Sequence, residues 1–201
     1  MSEYDSKREQ IIDAALKAFA VYGYYKTTLE DIAKMLGMKK NSLYYYFKSK
    51  DELFREIILS EINLFFGEQE EILRKNISNS KKIEEIVLQV VNFIRERTMK
   101  YSVKLSSYLE MSAVIKKQFS EFKTRQCKVI EKIIKAGIKS KEFRKINAKT
   151  FSEDLGELVP ALVNNYYLSS GAVFVNEVDF DEVKKRIKRI VNYLIEGIIN
   201  K

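Results

Sequence analysis

Apolar residues recur along this chain at three- and four-residue spacing almost from its beginning. Over residues 6–22, Ile11, Ile12, Ala15, Leu16, Phe19 and Ala20 fall on one stripe of a helix, which Gly23 ends. Thr27 and Thr28 then precede Leu29, Ile32, Ala33 and Leu36, with Glu30 and Asp31 in a first turn where carboxylates complement the helix dipole. This second, short helix runs to Gly37. The same pattern predicts a third short helix over 38–47 and a longer fourth from Lys50 to about Arg74, so the first 50 residues form a three-helix unit.

Beyond that unit every segment reads helical: roughly 81–99, 102–113, 116–137, 148–169 and 181–200. A polar turn at 76–80 and a basic loop at 139–147 separate them, and 169–179 reads as an apolar-containing loop in which Val173, Phe174 and Val175 suit a brief extended segment. There is no internal repeat and no low-complexity tract. The expected fold class is all-α, a small N-terminal domain at 1–50 and a larger helical domain at 51–201.

Composition agrees and removes chemistry. Seven Gly, one Pro and 32% charged residues favour long helices over many short strands. With no His and one Cys, Cys127, the chain cannot build a Cys/His zinc site, an imidazole-based triad or an internal disulfide. No Gly-rich phosphate loop or nucleophile motif appears. We therefore expect a non-enzyme with no cofactor and no metal. A polar start without a signal-type apolar region, and no run of 18 apolar residues, lead to the expectation of a cytoplasmic protein with no membrane partner.

The net charge of +8 becomes informative only through its distribution. No acidic residue lies between Asp31 and Asp51, yet Lys34, Lys39, Lys40, Lys48 and Lys50 are interleaved there with Tyr44, Tyr45 and Tyr46. The rest of residues 1–55 holds five Lys/Arg and eight acids, so the positive field is local. Such ammonium groups displace counterions from phosphates, although a Lys-rich segment also serves as a plain solvated face. The second and third helices fit a helix-turn-helix template. Ala33 is small at the crossing, Gly37 supplies the turn, and Ile32, Leu36, Met38, Leu43 and Tyr46 fall on positions buried against the first helix.

The run LEDIAKMLGMKKNSLYYYFKSKDELF resembles the DNA-binding signature of the TetR family of transcriptional regulators: a Thr before the second helix, an I-A pair, a Gly turn, an L-Y-x-Y-F block and a following K-x-K-[DE]-x-L. The resemblance covers about residues 6–60. It is weaker beyond, resting on IKAGIKSKEF and a last helix ending LIEGII. It implies a homodimeric regulator, a repressor, that binds a palindromic double-stranded DNA operator and is controlled by a small-molecule effector. Carried over residue by residue, Thr28 matches a capping position that meets a phosphate. Lys39, Lys40, Asn41 and Ser42 match the start of the recognition helix, Tyr44 and Tyr45 match aromatic contacts to backbone or thymine methyl, and Lys50 matches a phosphate-binding position. Leu43, Tyr46 and Phe47 go mainly to the core. Where many members have Ser or Thr before the recognition helix and a small residue two places later, this chain has Lys39 and Asn41. Lys39 cannot cap, so the helix either starts without a cap or shifts to let Asn41 supply one.

In the larger part, the last helix carries an apolar stripe wider than one seam, and so does the helix before it. Leu155, Leu158, Leu162, Val163, Ile187, Ile190, Leu194 and Ile198 are the candidate dimer interface, against the alternative that both helices are buried within one subunit. Pro160 lies inside the penultimate helix, where a kink is expected. Phe93, Met99, Tyr101, Tyr108, Met111, Phe119, Phe122 and Tyr166 are candidates to line an effector pocket, although aromatics at helical spacing also build ordinary core. Cys127 reads as a thiol sensor or as a small core residue. A rival reading of the whole chain is a helical module that binds a protein or an acidic membrane surface.

Overall fold

The computed structural model describes residues 3–118 and 120–200. Within them the chain forms α1 (Glu3–Tyr22), α2 (Leu29–Met35), α3 (Lys40–Tyr46), α4 (Lys50–Arg74), α5 (Asn79–Tyr101), α6 (Leu105–Gln118), α7 (Ser120–Lys139), α8 (Ala148–Ser169) and α9 (Phe180–Glu196), with a 3-10 turn at Val175–Glu177. The fold is all-α, as the periodicity predicts. No helix among the described residues is long and apolar enough to cross a membrane.

The apolar stripes resolve into two cores. The first gathers Ile11, Ala15, Phe19, Ile32, Ala33, Leu43, Phe47 and Leu53 from α1 to the start of α4, and it takes in Val114 from α6. Gly23 and Gly37, with φ of +83° and +63°, make the two turns that fold α1, α2 and α3 onto one another. The Met38 N–H donates to the Ala33 carbonyl at 2.9 Å, which fixes the exit of α2 close to a residue too small to hold α3 away. The second core lies between α5, α7, α8 and α9, around Ile83, Ile86, Ile134, Tyr167 and Val175.

Element boundaries differ from the sequence pattern most at α6 and α9, and the helix expected from 116 begins at Ser120, because residues 116–118 belong to α6. Ser102 takes a left-handed conformation (φ 47°) and ends α5, and the Val103–Leu105 backbone then pairs with residues 173–175. The Val175 N–H donates to the Val103 carbonyl at 2.8 Å and the Leu105 N–H to the Val173 carbonyl at 2.9 Å. Helix α6 therefore starts later than expected, and it continues past Ala113 because Val114 and Ile115 carry its stripe into the first core. The last helix stops at Glu196 instead of reaching Asn200. Ile198 is still buried, but outside the helix, where its carbonyl accepts from the Arg144 N–H at 2.8 Å and Ile199 bridges Phe143. The 169–179 loop contains the short extended segment and the 3-10 turn. Helix α8 continues through Pro160.

Small residues let the helices of the second core approach. A Cβ at Gly156 of α8 would sit 2.9 Å from the Cys127 Sγ of α7. A Cβ at Gly137 would lie 2.2 Å from the ring of Phe143, itself fully buried. Helix α5 is tied to this end by Glu142, whose carboxylate accepts the N–H groups of Asn79 at 2.9 Å and Ser80 at 2.7 Å. Burial pushes the Glu142 carboxyl up, but these donors outweigh it and hold the group below its ordinary range.

Gly137→Ala is expected to overpack this corner and lower the free energy of unfolding by about 1–3 kcal/mol in urea titration. The control Gly67→Ala, where a Cβ meets open space on a helix, is expected to be neutral or stabilising by up to about 1 kcal/mol.

Candidate nucleic-acid interface and effector region

Helix α3 is seven residues long and shows two faces. Leu43 and the following Phe47 are fully buried in the first core, while Lys40, Asn41, Ser42, Tyr44 and Tyr45 point outward, Tyr45 with 74% of its surface free. The helix starts at Lys40, with Lys39 at the cap position and no side-chain cap hydrogen bond. It does not shift toward Asn41. Asn41 is thus left on the outer face of the first turn, with its amide uncommitted to capping.

The outer tyrosines have support. Tyr4 of α1 stacks on Tyr46 (centroids 5.1 Å apart) and meets Tyr45 edge-on at 5.9 Å. Arg8 lies 4.7 Å from the centre of the Phe47 ring and ion-pairs with Glu56. One turn of α1 therefore braces the end of α3 against α4.

Thr28 occupies the N-cap of α2 in a complete capping box. Its hydroxyl oxygen accepts the Asp31 N–H at 3.2 Å, and the Asp31 carboxylate accepts the Thr28 N–H at 3.0 Å. The Thr28 hydroxyl also donates to that carboxylate at 2.6 Å, which, with the backbone donor, holds the Asp31 carboxyl below its usual range.

The lysines differ in their surroundings. Lys39 and Lys48 are exposed. Lys34 and Lys40 both face Glu30, at 3.7 and 3.4 Å, weak exposed pairs that leave the ammonium groups available. Lys50 is half-buried; its ammonium donates to the Tyr24 carbonyl at 2.8 Å and lies 4.5 Å from the Tyr24 ring centre. It holds the turn before α2, the segment whose Tyr25 N–H also donates to Glu110 of α6 at 2.7 Å.

The eight candidate pocket residues do not gather at one place. Phe93 and Phe122 come together on Phe65, with ring centroids 5.0 and 5.2 Å from it. Tyr108 packs edge-on against Tyr167 at 5.0 Å, and burial pushes its phenol up to about 12. Tyr166 borders the second core, and Met111 touches both cores. Tyr101 is half-buried, Met99 is half exposed, and Phe119 lies outside the described residues.

Sequence reasoning missed Tyr167. It is fully buried, its hydroxyl makes no hydrogen bond among the described residues, and burial raises its phenol pKa. It also missed a set of buried glutamines, Gln69, Gln89 and Gln126. Their signal was available: each stands four residues from a phenylalanine on its own helix. Cys127 is buried, and that burial pushes its thiol above the ordinary value despite the pull of Lys123, which suits a core residue and not a reactive thiolate.

The candidate interface residues divide as well. Leu155, Val163, Ile187 and Ile198 are consumed by the protomer's own core, whereas Leu158, Leu162 and Ile190 stay half-buried and Leu194 is exposed. Phe151, Leu155, Leu158, Ala161 and Leu194, with the carboxylates Asp154 and Glu157, line an open groove of about 440 Å³ between α8 and α9.

Comparison with known proteins supplies the remaining evidence. The family model for bacterial regulatory proteins of the tetR family matches residues 11–57. The biofilm operon icaADBC HTH-type negative transcriptional regulator IcaR of Staphylococcus epidermidis is 34% identical over 121 residues, 58% of this chain; the match spans 63% of that protein's length, just under two thirds. The Staphylococcus aureus (strain Newman) protein of the same name is 28% identical over 188 residues, covering 88% of this chain and 94% of its own. A transcriptional regulator from Cytophaga hutchinsonii, known by crystal structure, is 32% identical, covers 96% of this chain and 99% of its own, and superposes with a TM-score of 0.75.

Thr28→Ala is expected to lower stability at pH 7 by about 1 kcal/mol through loss of the α2 cap. Because the folded-state pKa of Asp31 is depressed, the share of the cap that its carboxylate supplies through the Thr28 hydroxyl is present above the ordinary carboxylate range and lost as pH falls through the folded value. The gap between wild type and variant in urea titration should therefore narrow as pH falls below the ordinary carboxylate range, without closing, because the Thr28 hydroxyl still accepts the Asp31 N–H.

Proposed function

The chain belongs to the TetR family of transcriptional regulators, and on that premise we propose that it is a homodimeric repressor that binds a palindromic DNA operator under small-molecule control. The observation that carries the reading is the two-faced α3: an apolar side anchored in a core, and an outer side of Lys40, Asn41, Ser42, Tyr44 and Tyr45 sized for a major groove. The relatives named above as a negative regulator support the direction of control.

In this reading the unit at 1–50 reads DNA and the part at 51–201 dimerises and senses. Lys39 and Lys48 neutralise phosphates, Thr28 brings the N-terminus of α2 to the backbone, and Lys50 meets phosphate while bracing the Tyr24 turn. Asn41 presents an amide to an adenine edge, and Lys40 an ammonium to guanine acceptors. A twofold axis sets two copies of α3 about 34–36 Å apart, one turn of duplex, so one protomer reads each half-site. The surface available for that axis is the α8–α9 groove with Leu158, Leu162, Ile190 and Leu194, which no contact inside the protomer covers completely. Ligand control follows from linkage: a small molecule that binds one dimer geometry more tightly changes operator affinity by the same factor that DNA changes ligand affinity. We place the protein in the cytoplasm, where its DNA partner lies.

Selection from random duplexes should yield a palindrome that the protein protects from nuclease cleavage, with affinity falling steeply on a log–log salt plot. Asn41→Ala should flatten base preference at one position per half-site, a loss of about 1–3 kcal/mol of discrimination. Equal protection of random DNA would refute the reading and favour a module for proteins or acidic membranes. The double variant Leu158→Asp, Leu194→Asp should sediment as a monomer with unchanged helicity and bind the full palindrome at least tenfold more weakly.

A further inference from the structure

Three helices of the sensing part carry the same pair of side chains one turn apart. Phe65 and Gln69 lie on α4, Gln89 and Phe93 on α5, and Phe122 and Gln126 on α7. Order is reversed only on α5, and α5 runs antiparallel to α4: Phe65 meets Phe93 while Gln69 meets Gln89. The Phe65 ring is 5.2 Å from that of Phe122, which brings α7 into the same layer. The outcome is a layer of phenylalanine rings and, one helical turn away, a layer of buried amides.

The amides are not all satisfied. Gln89 donates to the Glu68 carboxylate at 2.8 Å and to the Phe65 carbonyl at 3.3 Å, so its NH2 must face those acceptors and its oxygen must face Gln69. Gln69 answers with its own NH2 at 3.1 Å, which turns its oxygen away from the pair. That oxygen belongs to a side chain with no exposed surface and accepts no hydrogen bond among the described residues. The Gln126 oxygen, on a residue 8% exposed, is in the same condition. Two buried carbonyl oxygens on adjoining helices without donors are an exception to the general satisfaction of buried polar groups.

Resting on the reading of this part as an effector-binding domain, we propose that this amide layer is a recognition site for a neutral ligand that carries hydroxyl or N–H donors on an apolar body. At Gln69 the NH2 is committed to Gln89 and the oxygen is the free group, so a ligand that offers a donor is matched there and a group that offers only acceptors is not. A cation is disfavoured because guanidinium groups already cover the neighbouring rings, Arg97 at 3.9 Å from the centre of Phe93 and Arg125 at 3.9 Å from that of Phe66. The ligand's apolar body lies against Phe65, Phe93 and Phe122, and its donors bond Gln69 and Gln126.

The test uses benzyl alcohol and its methyl ether, which share a ring and differ in one donor, with the full-length, DNA-free protein. Saturation-transfer NMR and thermal unfolding should report saturable binding of the alcohol, at least tenfold tighter than the ether. Gln69→Met with Gln126→Met should abolish that preference. Gln126→Met alone leaves the Gln69–Gln89 pair intact and serves should the double variant not fold; it should reduce the preference at least threefold. Equal binding of the two probes, no binding of either, or a preference that survives the Gln126 substitution would overturn the assignment. An alcohol that binds here without moving the operator titration upholds the site and counts against effector control, whereas another small molecule that shifts that titration while the alcohol fails to bind upholds effector control and refutes this site.

Discussion

A helix of seven residues has no independent stability in water, so the outward face of α3 exists only because its inward face is anchored. Leu43 and Phe47 are that anchor. Both are fully buried, and Phe47 is covered from the far side by Arg8, held in place by Glu56 of α4. Everything that α3 presents to solvent depends on this attachment: the register of Asn41, the height of Tyr45 and the position of Lys40 next to Glu30. Without a cap at Lys39, the helix start is defined by backbone geometry and by the close α2–α3 crossing at Ala33 and Gly37, not by a side-chain hydrogen bond. The outer surface is thereby free to vary chemically while the inner one stays constrained by packing.

The two cores are physically joined, and α6 does much of the joining. Val114 is buried in the first core, Tyr108 packs at the second, and Met111 touches both. Glu110 fixes the turn before α2 through the Tyr25 N–H, and its carboxylate fills the space where a Cβ on Gly23 would stand. Just before α6, the Lys104 N–H donates to the Ala20 carbonyl near the end of α1 at 3.0 Å. A shift of α6 along its axis therefore strains contacts with α1 and with the α1–α2 turn together. Such contacts are the material from which coupling between distant sites is made, provided the element has two arrangements to choose between.

Much of this was legible in the sequence because it is local. The 3.6-residue period, Thr28 before an acidic turn, and glycines at 23 and 37 follow from rules that act over a few residues, and the helices and cap stand where those rules put them. What failed to read out was decided at long range. The start of α6 depends on pairing with residues 173–175, some seventy positions downstream, and the end of α9 on pairing with the loop at Phe143. The candidate site divides likewise. The outward residues of α3 were identifiable from charge and motif, whereas the aromatic candidates of the larger part could not be sorted by periodicity, which marks a face as apolar without saying which helix covers it. The glutamines were overlooked for a related reason: a polar residue at a core position looks like an interruption of the stripe until its partners on other helices are known.

Those glutamines bear on how the two parts of the chain communicate. Helix α4 is 25 residues long and contributes to both regions: Leu53, Phe54 and Ile57 belong to the first core, and Phe65, Phe66 and Gln69 to the aromatic and amide layers. Between Leu53 and Gln69 the helix spans about 24 Å at 1.5 Å per residue. A continuous helix is stiff over that distance, so a change in the packing at Gln69 reaches Leu53 as a tilt or rotation instead of being absorbed between them. At its other end the same helix carries Lys50, which holds the Tyr24 carbonyl, and Asp51, which accepts the Tyr24 hydroxyl. Burying an unsatisfied amide oxygen sacrifices stability that an apolar side chain would have kept. Its place on a helix whose first turn clamps the α1–α2 connection means that the sacrifice sits where relieving it alters the support of α2 and α3.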